Sequence, residues 1–549
     1  MRRAGWAAAA AVIGWYGFAL LILHPLTDAP VVDSWLYGSA VRRYLRTGEV
    51  RFAGFTQAMP IAQVYYGVAW AHLFGANSIS LELSVVVLAV LCGVMFHALA
   101  IKCGAPRWQA LAATGLLICN PCFMFLSFSY MTEIPFLTAI IAAHLAFAKA
   151  EGPRERLWLW LSAATVVIAF MIRPFGAMVI AGCVSAMVLY DARLRGTRRW
   201  DRAQWIRMTT PFGAALAVCA AQWISLTVLG PKPWYLQQDE EHLRYIFVVP
   251  LAYYLRAGVL GPLLYLGTML SPLALLQLAT PRWRRVVLGG AGIFAGVLVL
   301  QWMNNQLPVT PEYSCFGGWH NALILRGDSN RFAWDGGWQY AFLLLSSVGA
   351  AGLIAAFIEI FRTLGRATAA VLIAAIIYWA ATVPLWFFND RYYLVLVPAG
   401  ALVMALAPLP RTKLVQALGF ATTLAMGLLS LGGTYSYQRG MAVILATRNE
   451  LEREGVPRTA IDAGYALNGE DLYRYPKHGI ETMELEAGIP MITSPKVNEY
   501  TIASVPIPGT EVVRRLTWPG PFGLGHRYFY LVKKNVAADA NRQSPAPAK

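Results

Sequence analysis

The chain has 549 residues, of which 57% are hydrophobic and only 13% are charged, and this balance excludes an ordinary soluble multidomain protein. The formal net charge of +16 would suggest a nucleic-acid partner in a soluble protein, but most of the cations lie between apolar runs, as the positive-inside rule requires. Apolar runs of about 20 residues recur and the mean hydropathy is +0.50, so the sequence predicts a polytopic all-α membrane protein with no nucleic-acid partner.

The first apolar run extends from Trp6 to Leu23 and follows a basic start at Arg2 and Arg3. It is longer than the apolar core of a signal peptide, and no small-residue cleavage site follows it. We therefore expect a retained membrane span with a cytoplasmic N-terminus. The acidic turn that follows, residues 27–35, is expected at the outer surface of the membrane.

Two short helices are predicted in the outer loop after this span. Residues 33–47 place Trp35 and Leu36 on one side and several arginines on another, a pattern typical of an amphipathic helix in the membrane interface. Residues 60–74 are apolar but too short to span a bilayer comfortably. We interpret them as a second interfacial or re-entrant helix.

Further spans are predicted along the rest of the transmembrane domain, residues 1–433, which makes about thirteen in total. They lie near residues 79–101, 108–128, 132–149, 157–173, 174–190, 209–229, 258–280, 286–303, 339–361, 367–388, 392–409 and 414–433. If residues 60–74 do not cross, every strongly basic short loop falls on one side, which is assigned to the cytoplasm. The C-terminus is then extracytoplasmic.

Residues 434–536 are predicted to form a small extracytoplasmic α/β domain. Residues 436–456 indicate a helix, whereas residues 460–465, 500–505 and 528–532 indicate strands separated by turns rich in glycine and proline. Residues 537–549 are polar and rich in alanine and proline, which predicts a disordered tail.

The sequence carries no phosphate-binding glycine loop, dinucleotide motif, HExxH or GxSxG, so an enzyme that uses a cytoplasmic nucleotide is poorly supported. Cys119 and Cys122 have CxxC spacing, but no second pair or nearby histidine makes them a metal site. The candidates for chemistry are therefore charged residues on the outer face.

Asp33 and Glu133 are the two acids that return to this face. Each has a structural explanation, because Asp is a preferred helix N-cap and an acid in the first turn of a helix is favourable. The alternative is a shared site, since ionisable groups at membrane depth are expensive and tend to mark function. Two acids on one face make these alternatives about equally favoured.

Arg173 and Arg391 lie on the side that the positive-inside rule disfavours. Arg391 is explained structurally by a local pair with Asp390, and Arg173 by snorkelling to the interface. The functional alternative is a bound anion such as a lipid phosphate, to which Arg331 in the loop 304–338 contributes. The tryptophans of that loop, Trp319, Trp334 and Trp338, are favoured as an interfacial belt over a sugar- or lipid-binding surface.

Several short motifs carry a resemblance to a known family. These are Asp33 with Leu45-Arg46-Thr47-Gly48-Glu49, Asn120-Pro121 with Met131-Thr132-Glu133-Ile134-Pro135, Ile172-Arg173-Pro174, and Asp390-Arg391-Tyr392-Tyr393 running to Pro398. In this order they resemble the GT-C membrane glycosyltransferases, in the subgroup of protein O-mannosyltransferases and the lipid A aminoarabinose transferase. The family's Lys-Pro-Pro stretch appears as Gln57-Ala58-Met59-Pro60, without the lysine.

The resemblance implies an inverting glycosyltransferase on the outer face of a bacterial-type plasma (inner) membrane. Its donor is a polyprenyl-phosphate sugar, and its acceptor is a glycan, a lipid or a protein. Asp33 is expected to act as general base, and Glu133 to orient the acceptor or, with Asp33, to hold a divalent metal such as Mg²⁺ or Mn²⁺. Arg391, Arg173 and Arg331 are expected to bind the donor phosphate. The alternatives are a lipid or oligosaccharide transporter or flippase, and a non-catalytic scaffold.

Overall fold

The computed structural model describes residues 2–50, 60–193, 201–229, 250–303, 338–383, 390–474 and 499–534, together with Phe52, Val248 and Leu325. The α-helices are α1 (Arg2–Leu23), α2 (Ser34–Thr47), α3 (Ile61–Phe74), α4 (Ser78–Lys102), α5 (Arg107–Ile118), α6 (Pro121–Ser127), α7 (Glu133–Lys149), α8 (Glu155–Phe170), α9 (Met178–Arg193), α10 (Arg202–Ile224), α11 (Leu251–Leu255), α12 (Gly261–Gln277), α13 (Pro281–Met303), α14 (Trp338–Ile360), α15 (Arg366–Thr382), α16 (Val397–Leu406), α17 (Lys413–Arg453) and α18 (Tyr465–Arg474). The strands are β1 (Ile461–Asp462), β2 (Tyr500–Ala503), β3 (Thr510–Pro519) and β4 (His526–Lys534).

The chain is a polytopic helical membrane protein. Among the described residues, seven helices are long and apolar enough to cross a bilayer, or eight if the bent pair α5 and α6 forms one span. Several predicted spans are shorter helices of ten to seventeen residues, such as α9 and α15. The predicted count of about thirteen spans is therefore not confirmed.

The two predicted outer helices are α2 and α3. Helix α2 ends at Gly48, whose φ of +74° lies in the left-handed region that favours glycine, and the Gly48 N–H donates to the Tyr44 carbonyl at 2.7 Å. Helix α3 has 14 residues, about 21 Å at 1.5 Å per residue, so it is too short for a core of about 30 Å.

Helices α5 and α6 meet at a bend of 63°, and the sequence at the bend explains it. The Asn120 side chain accepts hydrogen bonds from the backbone N–H groups of Cys122 and Phe123, at 2.8 and 3.1 Å, and so caps a new helix. Pro121 lacks an N–H and occupies the first position of α6, where none is needed. The phenylalanines of α6, Phe123 and Phe125, are fully buried, so the bend lies in the core.

Helix α17 connects the transmembrane helices to the C-terminal sheet. Its 41 residues correspond to about 60 Å, roughly twice the thickness of the hydrocarbon core. The predicted span 414–433 and the predicted helix 436–456 are thus parts of one continuous helix. Close packing of Gly440 against Trp518, and of Gly432 against Phe522, places the sheet region against the second half of α17.

The C-terminal sheet has the strand order β1-β2-β4-β3, with β1 and β2 parallel and the other pairs antiparallel. The strands predicted at 500–505 and 528–532 correspond to β2 and β4, whereas only Ile461 and Asp462 of the predicted strand 460–465 are extended. The sequence does not predict strand β3, because Arg514 and Arg515 interrupt its apolar pattern. Arg514 forms two hydrogen bonds to Glu450 of α17, at 2.7 and 3.0 Å.

Candidate active site

Four charged side chains meet where α2, α7, the segment after α8 and the segment before α16 come together: Asp33, Glu133, Arg173 and Arg391. Asp33 and Arg391 are 358 positions apart in the sequence. Asp33 directly precedes α2, and Glu133 is the first residue of α7. The structure therefore brings together both acids and two of the three arginines that the sequence selected.

Arg331, the third arginine, lies outside the described residues. So do the remaining residues of the loop 304–337, except Leu325, and with them Trp319 and Trp334. Trp338 begins α14, but its side chain lies outside the described part.

Asp33 occupies the N-cap position of α2, but its side chain makes no capping hydrogen bond there. Its Oδ2 accepts a hydrogen bond from Nη2 of Arg391 at 2.9 Å, and its Oδ1 accepts one from the hydroxyl of Tyr465 at 2.7 Å. The capping explanation of this carboxylate is therefore wrong. The Asp33 side chain is 17% exposed, which makes it the most accessible member of the charged cluster.

Glu133 is almost completely buried, at 1% exposure. Its Oε1 accepts a hydrogen bond from Nη2 of Arg173 at 2.6 Å and forms an ion pair with Nε of Arg391 at 3.4 Å. Its Oε2 has no hydrogen-bond partner among the described residues. Leaving a buried acceptor without a hydrogen bond costs about 1–3 kcal/mol. A ligand that donates a hydrogen bond to this oxygen would remove that cost.

The arginines are held by groups that sequence reasoning did not identify. Nε of Arg173 donates to Oγ1 of Thr132 at 2.7 Å, and Thr132 makes no side-chain cap for α7. Both guanidinium groups lie near the Tyr392 ring, at 5.9 Å for Arg173 and 5.8 Å for Arg391. Arg391 is buried and pairs across the fold, so a purely local pair with Asp390 does not describe it.

The cluster has two formal negative and two formal positive charges. Charges can be buried in a protein when they are paired with opposite charges in this way. The charges form a chain of three ion pairs: Asp33 pairs with Arg391, Arg391 pairs with Glu133, and Glu133 pairs with Arg173. Burial, and then the charge of Asp33, raise the pKa of Tyr37 of α2 well above its usual value of about 10. Tyr37 is therefore a neutral phenol beside the cluster at physiological pH.

A divalent metal does not fit the two acids as the structure arranges them. Asp33 and Glu133 each face a guanidinium group at 2.6–2.9 Å, which supplies the neutralising charge that a metal would supply. The described residues contain no group of three or more His, Cys, Asp or Glu side chains that could hold a metal.

Tyr465 is a further residue of the site that the sequence did not predict. It follows Gly464, whose φ of +88° turns the chain out of β1 and into α18, whereas the sequence predicted a strand through residue 465. No local signal identifies its hydroxyl as a partner of Asp33, because the two residues lie 432 positions apart.

A family model described as dolichyl-phosphate-mannose-protein mannosyltransferase matches residues 48–247 of this chain. That range includes Glu133 and Arg173 but neither Asp33 nor Arg391. The resemblance to membrane glycosyltransferases, first indicated by short motifs, is thereby confirmed. No curated protein matches the chain.

Three solved structures illustrate the similarity. The Pmt1-Pmt2 protein O-mannosyltransferase complex of S. cerevisiae, bound to the sugar donor, is 16% identical with a TM-score of 0.33; the match covers 40% of this chain but only 33% of that one. ArnT from Cupriavidus metallidurans, bound to undecaprenyl phosphate, is 15% identical with a TM-score of 0.41, covering 88% and 78% of the two chains. AglB, an oligosaccharyltransferase from Archaeoglobus fulgidus, in complex with an inhibitory peptide and a dolichol-phosphate, is 14% identical with a TM-score of 0.43, covering 86% and 59%.

Proposed function

We propose that this multi-pass membrane protein is an inverting glycosyltransferase that moves a sugar from a polyprenyl-phosphate donor to a glycan, lipid or protein acceptor on the outer face of the plasma membrane. One observation carries this proposal: a partly exposed carboxylate, Asp33, lies 2.9 Å from a buried arginine that also pairs with a second acid. The match to the mannosyltransferase family model supports it.

Asp33 is the general base of the proposed reaction. It accepts the proton of the acceptor hydroxyl while the acceptor oxygen attacks the anomeric carbon of the sugar. The bond between that carbon and the phosphate oxygen breaks, and the polyprenyl phosphate leaves with the electron pair. A single displacement of this kind inverts the configuration of the anomeric carbon.

Arg391 and Arg173 stabilise the negative charge that develops on the departing phosphate. A guanidinium group presents parallel N–H donors that match phosphate oxygens, and a buried site makes the interaction stronger than it is in water. In the structure these donors point to Asp33 and Glu133. The donor phosphate therefore replaces a carboxylate at Arg391, and Asp33 is released to accept a proton.

Glu133 keeps both arginines in place and orients the substrate. Its Oε1 contacts both guanidinium groups, whereas Oε2 is buried without a hydrogen-bond partner among the described residues. A hydroxyl of the donor sugar or of the acceptor can satisfy Oε2. This role requires hydrogen bonding but no proton transfer.

Sugar transfer by the purified protein tests the proposal. We expect the protein, reconstituted in liposomes, to consume at least one of a panel of undecaprenyl-phosphate sugars that includes mannose and an aminopentose, and to release undecaprenyl phosphate. Movement of an intact labelled lipid across the vesicle membrane, with no released undecaprenyl phosphate, would instead support a flippase. Binding without turnover or movement would support a non-catalytic scaffold.

The topology of the chain can be tested separately, because the outer-face site requires a cytoplasmic N-terminus and an extracytoplasmic C-terminus. We expect alkaline phosphatase to be active when fused after Gly455, at the end of α17, and inactive when fused after Arg198 in the basic cluster. Green fluorescent protein at the same two positions should show the opposite pattern. The reverse result for both reporters would contradict an outer-face active site.

A further inference from the structure

Helix α18 of the C-terminal region packs directly against α2, the helix that follows Asp33. Glu470 of α18 forms an ion pair with Arg42 of α2 at 3.3 Å. Gly469 lies so close to Trp35 that a Cβ atom there would overlap its ring, and the Tyr465 ring meets Trp35 edge-on at 6.3 Å. Helix α18 therefore forms one wall of the candidate active site.

The Tyr465 hydroxyl has the geometry that the proposed reaction requires of an acceptor hydroxyl. It is a neutral O–H group that donates to Oδ1 of Asp33 at 2.7 Å. A general base must lie about 2.6–3.2 Å from the oxygen whose proton it removes. Phenol and substrate hydroxyl therefore compete for one position on the carboxylate.

The second oxygen of Asp33 does not offer an equivalent position. Oδ2 accepts a hydrogen bond from Arg391, on the side where the donor phosphate is expected, and Arg391 is buried. An acceptor that approaches from this side would collide with the leaving group, whereas an inverting displacement needs the nucleophile opposite to it. Oδ1 is thus the oxygen that faces the acceptor.

We propose that the acceptor subsite lies at Oδ1 of Asp33, that Tyr465 fills it in this structure, and that the acceptor is a neutral hydroxyl compound that displaces Tyr465. This inference rests on the proposed function and specifies its acceptor. A phosphate or carboxylate acceptor would bring a negative charge against Asp33, which like-charge repulsion disfavours. A hydroxyl replaces the phenol with no change of charge.

The contacts that hold α18 combine ion pairs with apolar packing. Asp471 accepts hydrogen bonds from Arg448 and Arg458, at 3.0 and 3.2 Å, and Glu470 pairs with Arg42. Leu467 of α18 and Trp35 of α2 are fully buried, so separating the two helices costs free energy. Binding of the acceptor at Asp33 must offset that cost, and the inference therefore predicts that α18 loosens only when an acceptor is bound or when one of its ion pairs is removed.

Kinetics of Tyr465→Phe provide the first test, with a donor sugar that the wild-type protein consumes and methyl α-mannoside as the hydroxyl acceptor. Removal of the phenol oxygen should lower KM for methyl α-mannoside roughly tenfold and raise hydrolysis of the donor without acceptor by a similar factor, while kcat stays within about twofold. Tyr528→Phe, on the exposed side of β4, is the matched control and should change neither.

Two kinetic results would overturn the inference. A fall in kcat of Tyr465→Phe at unchanged acceptor KM would mean that Tyr465 positions Asp33 for catalysis. Transfer to methyl phosphate in preference to methyl α-mannoside would mean that the subsite is built for an anion. If wild-type protein consumes no donor, the proposed function fails first, and the next measurement still decides whether α18 is displaced.

Amide hydrogen exchange provides this second test, because it needs no turnover. Saturating methyl α-mannoside should increase exchange of the α18 amides several-fold in the wild-type protein, whereas methyl phosphate should not, and the α17 amides should be unchanged with either compound. Glu470→Gln should increase exchange of α18 without any ligand. Exchange of α18 that stays as slow as that of α17 under all these conditions would overturn the displacement.

Discussion

Asp33→Asn should remove most sugar transfer while leaving the protein folded. Loss of a general base typically lowers the rate about a hundredfold to ten-thousandfold, and an amide takes up no proton near neutral pH. Arg391 and Tyr465 bind different oxygens of the Asp33 carboxylate. The Asn oxygen can still accept from Arg391, while its NH2 group can donate to the Tyr465 hydroxyl, which can accept as well as donate. We therefore expect Tm to change by only a few degrees, measured together with release of undecaprenyl phosphate from the donor.

Asp28→Asn is the matched control in the same turn. Asp28 accepts hydrogen bonds from the backbone N–H groups of Ser78 and Ile79 at the start of α4, at 2.9 and 3.4 Å, so its side chain does the capping that Asp33 does not. Asn caps about as well as Asp, and activity and Tm should both be retained. Near-normal turnover by well-folded Asp33→Asn would mean that Asp33 is only an ion-pair partner.

Arg391→Lys should weaken binding of the donor phosphate about tenfold to a hundredfold, the factor expected when a charged, two-pronged contact is reduced to a single one. Arg391 contacts Asp33 through Nη2 and Glu133 through Nε, at 2.9 and 3.4 Å. A lysine ammonium keeps the charge but cannot reproduce this planar arrangement. Binding of undecaprenyl phosphate itself is the measurement, since it does not depend on the sugar.

Arg514→Lys is the matched control for the loss of a two-pronged contact. Arg514 forms two hydrogen bonds to Glu450 on the exposed side of β3, so the same substitution there should leave undecaprenyl phosphate binding unchanged. Equal binding by Arg391→Lys and wild type would restrict Arg391 to holding the two acids. Weaker binding with a full rate at saturating donor would show that Arg391 contributes to binding but not to the transition state.

The two substitutions address one coupled step. Because Arg391 pairs with Asp33 in the structure, arrival of a phosphate at Arg391 is expected to release the carboxylate that removes the acceptor proton. The base is then free only when a donor is bound. Under the proposed function this order limits unproductive proton removal, and it accounts for the direct contact between the proposed base and the proposed phosphate-binding arginine.

From the sequence alone one can predict the membrane class, the short helices α2 and α3, two strands of the C-terminal sheet and the four charged residues of the cluster. Composition and the length of the apolar runs indicate the membrane class, because the hydrocarbon core of a bilayer requires long apolar helices. The charges were identifiable because, in the topology that the sequence predicts, Arg173 and Arg391 lie on the side that the positive-inside rule disfavours, and because acids at membrane depth are costly. These are properties of single segments, and a sequence reports them directly.

Only the tertiary structure decided which groups these charges contact. That Asp33 binds Arg391 and Tyr465 rather than capping α2 depends on contacts across 358 and 432 positions, and no local periodicity encodes such pairs. The same holds for Thr132 as a partner of Arg173. Capping preferences describe the first turn of a helix, but burial of an unpaired guanidinium group costs more than a missing cap. The Asp33 carboxylate therefore pairs with Arg391 instead of capping α2.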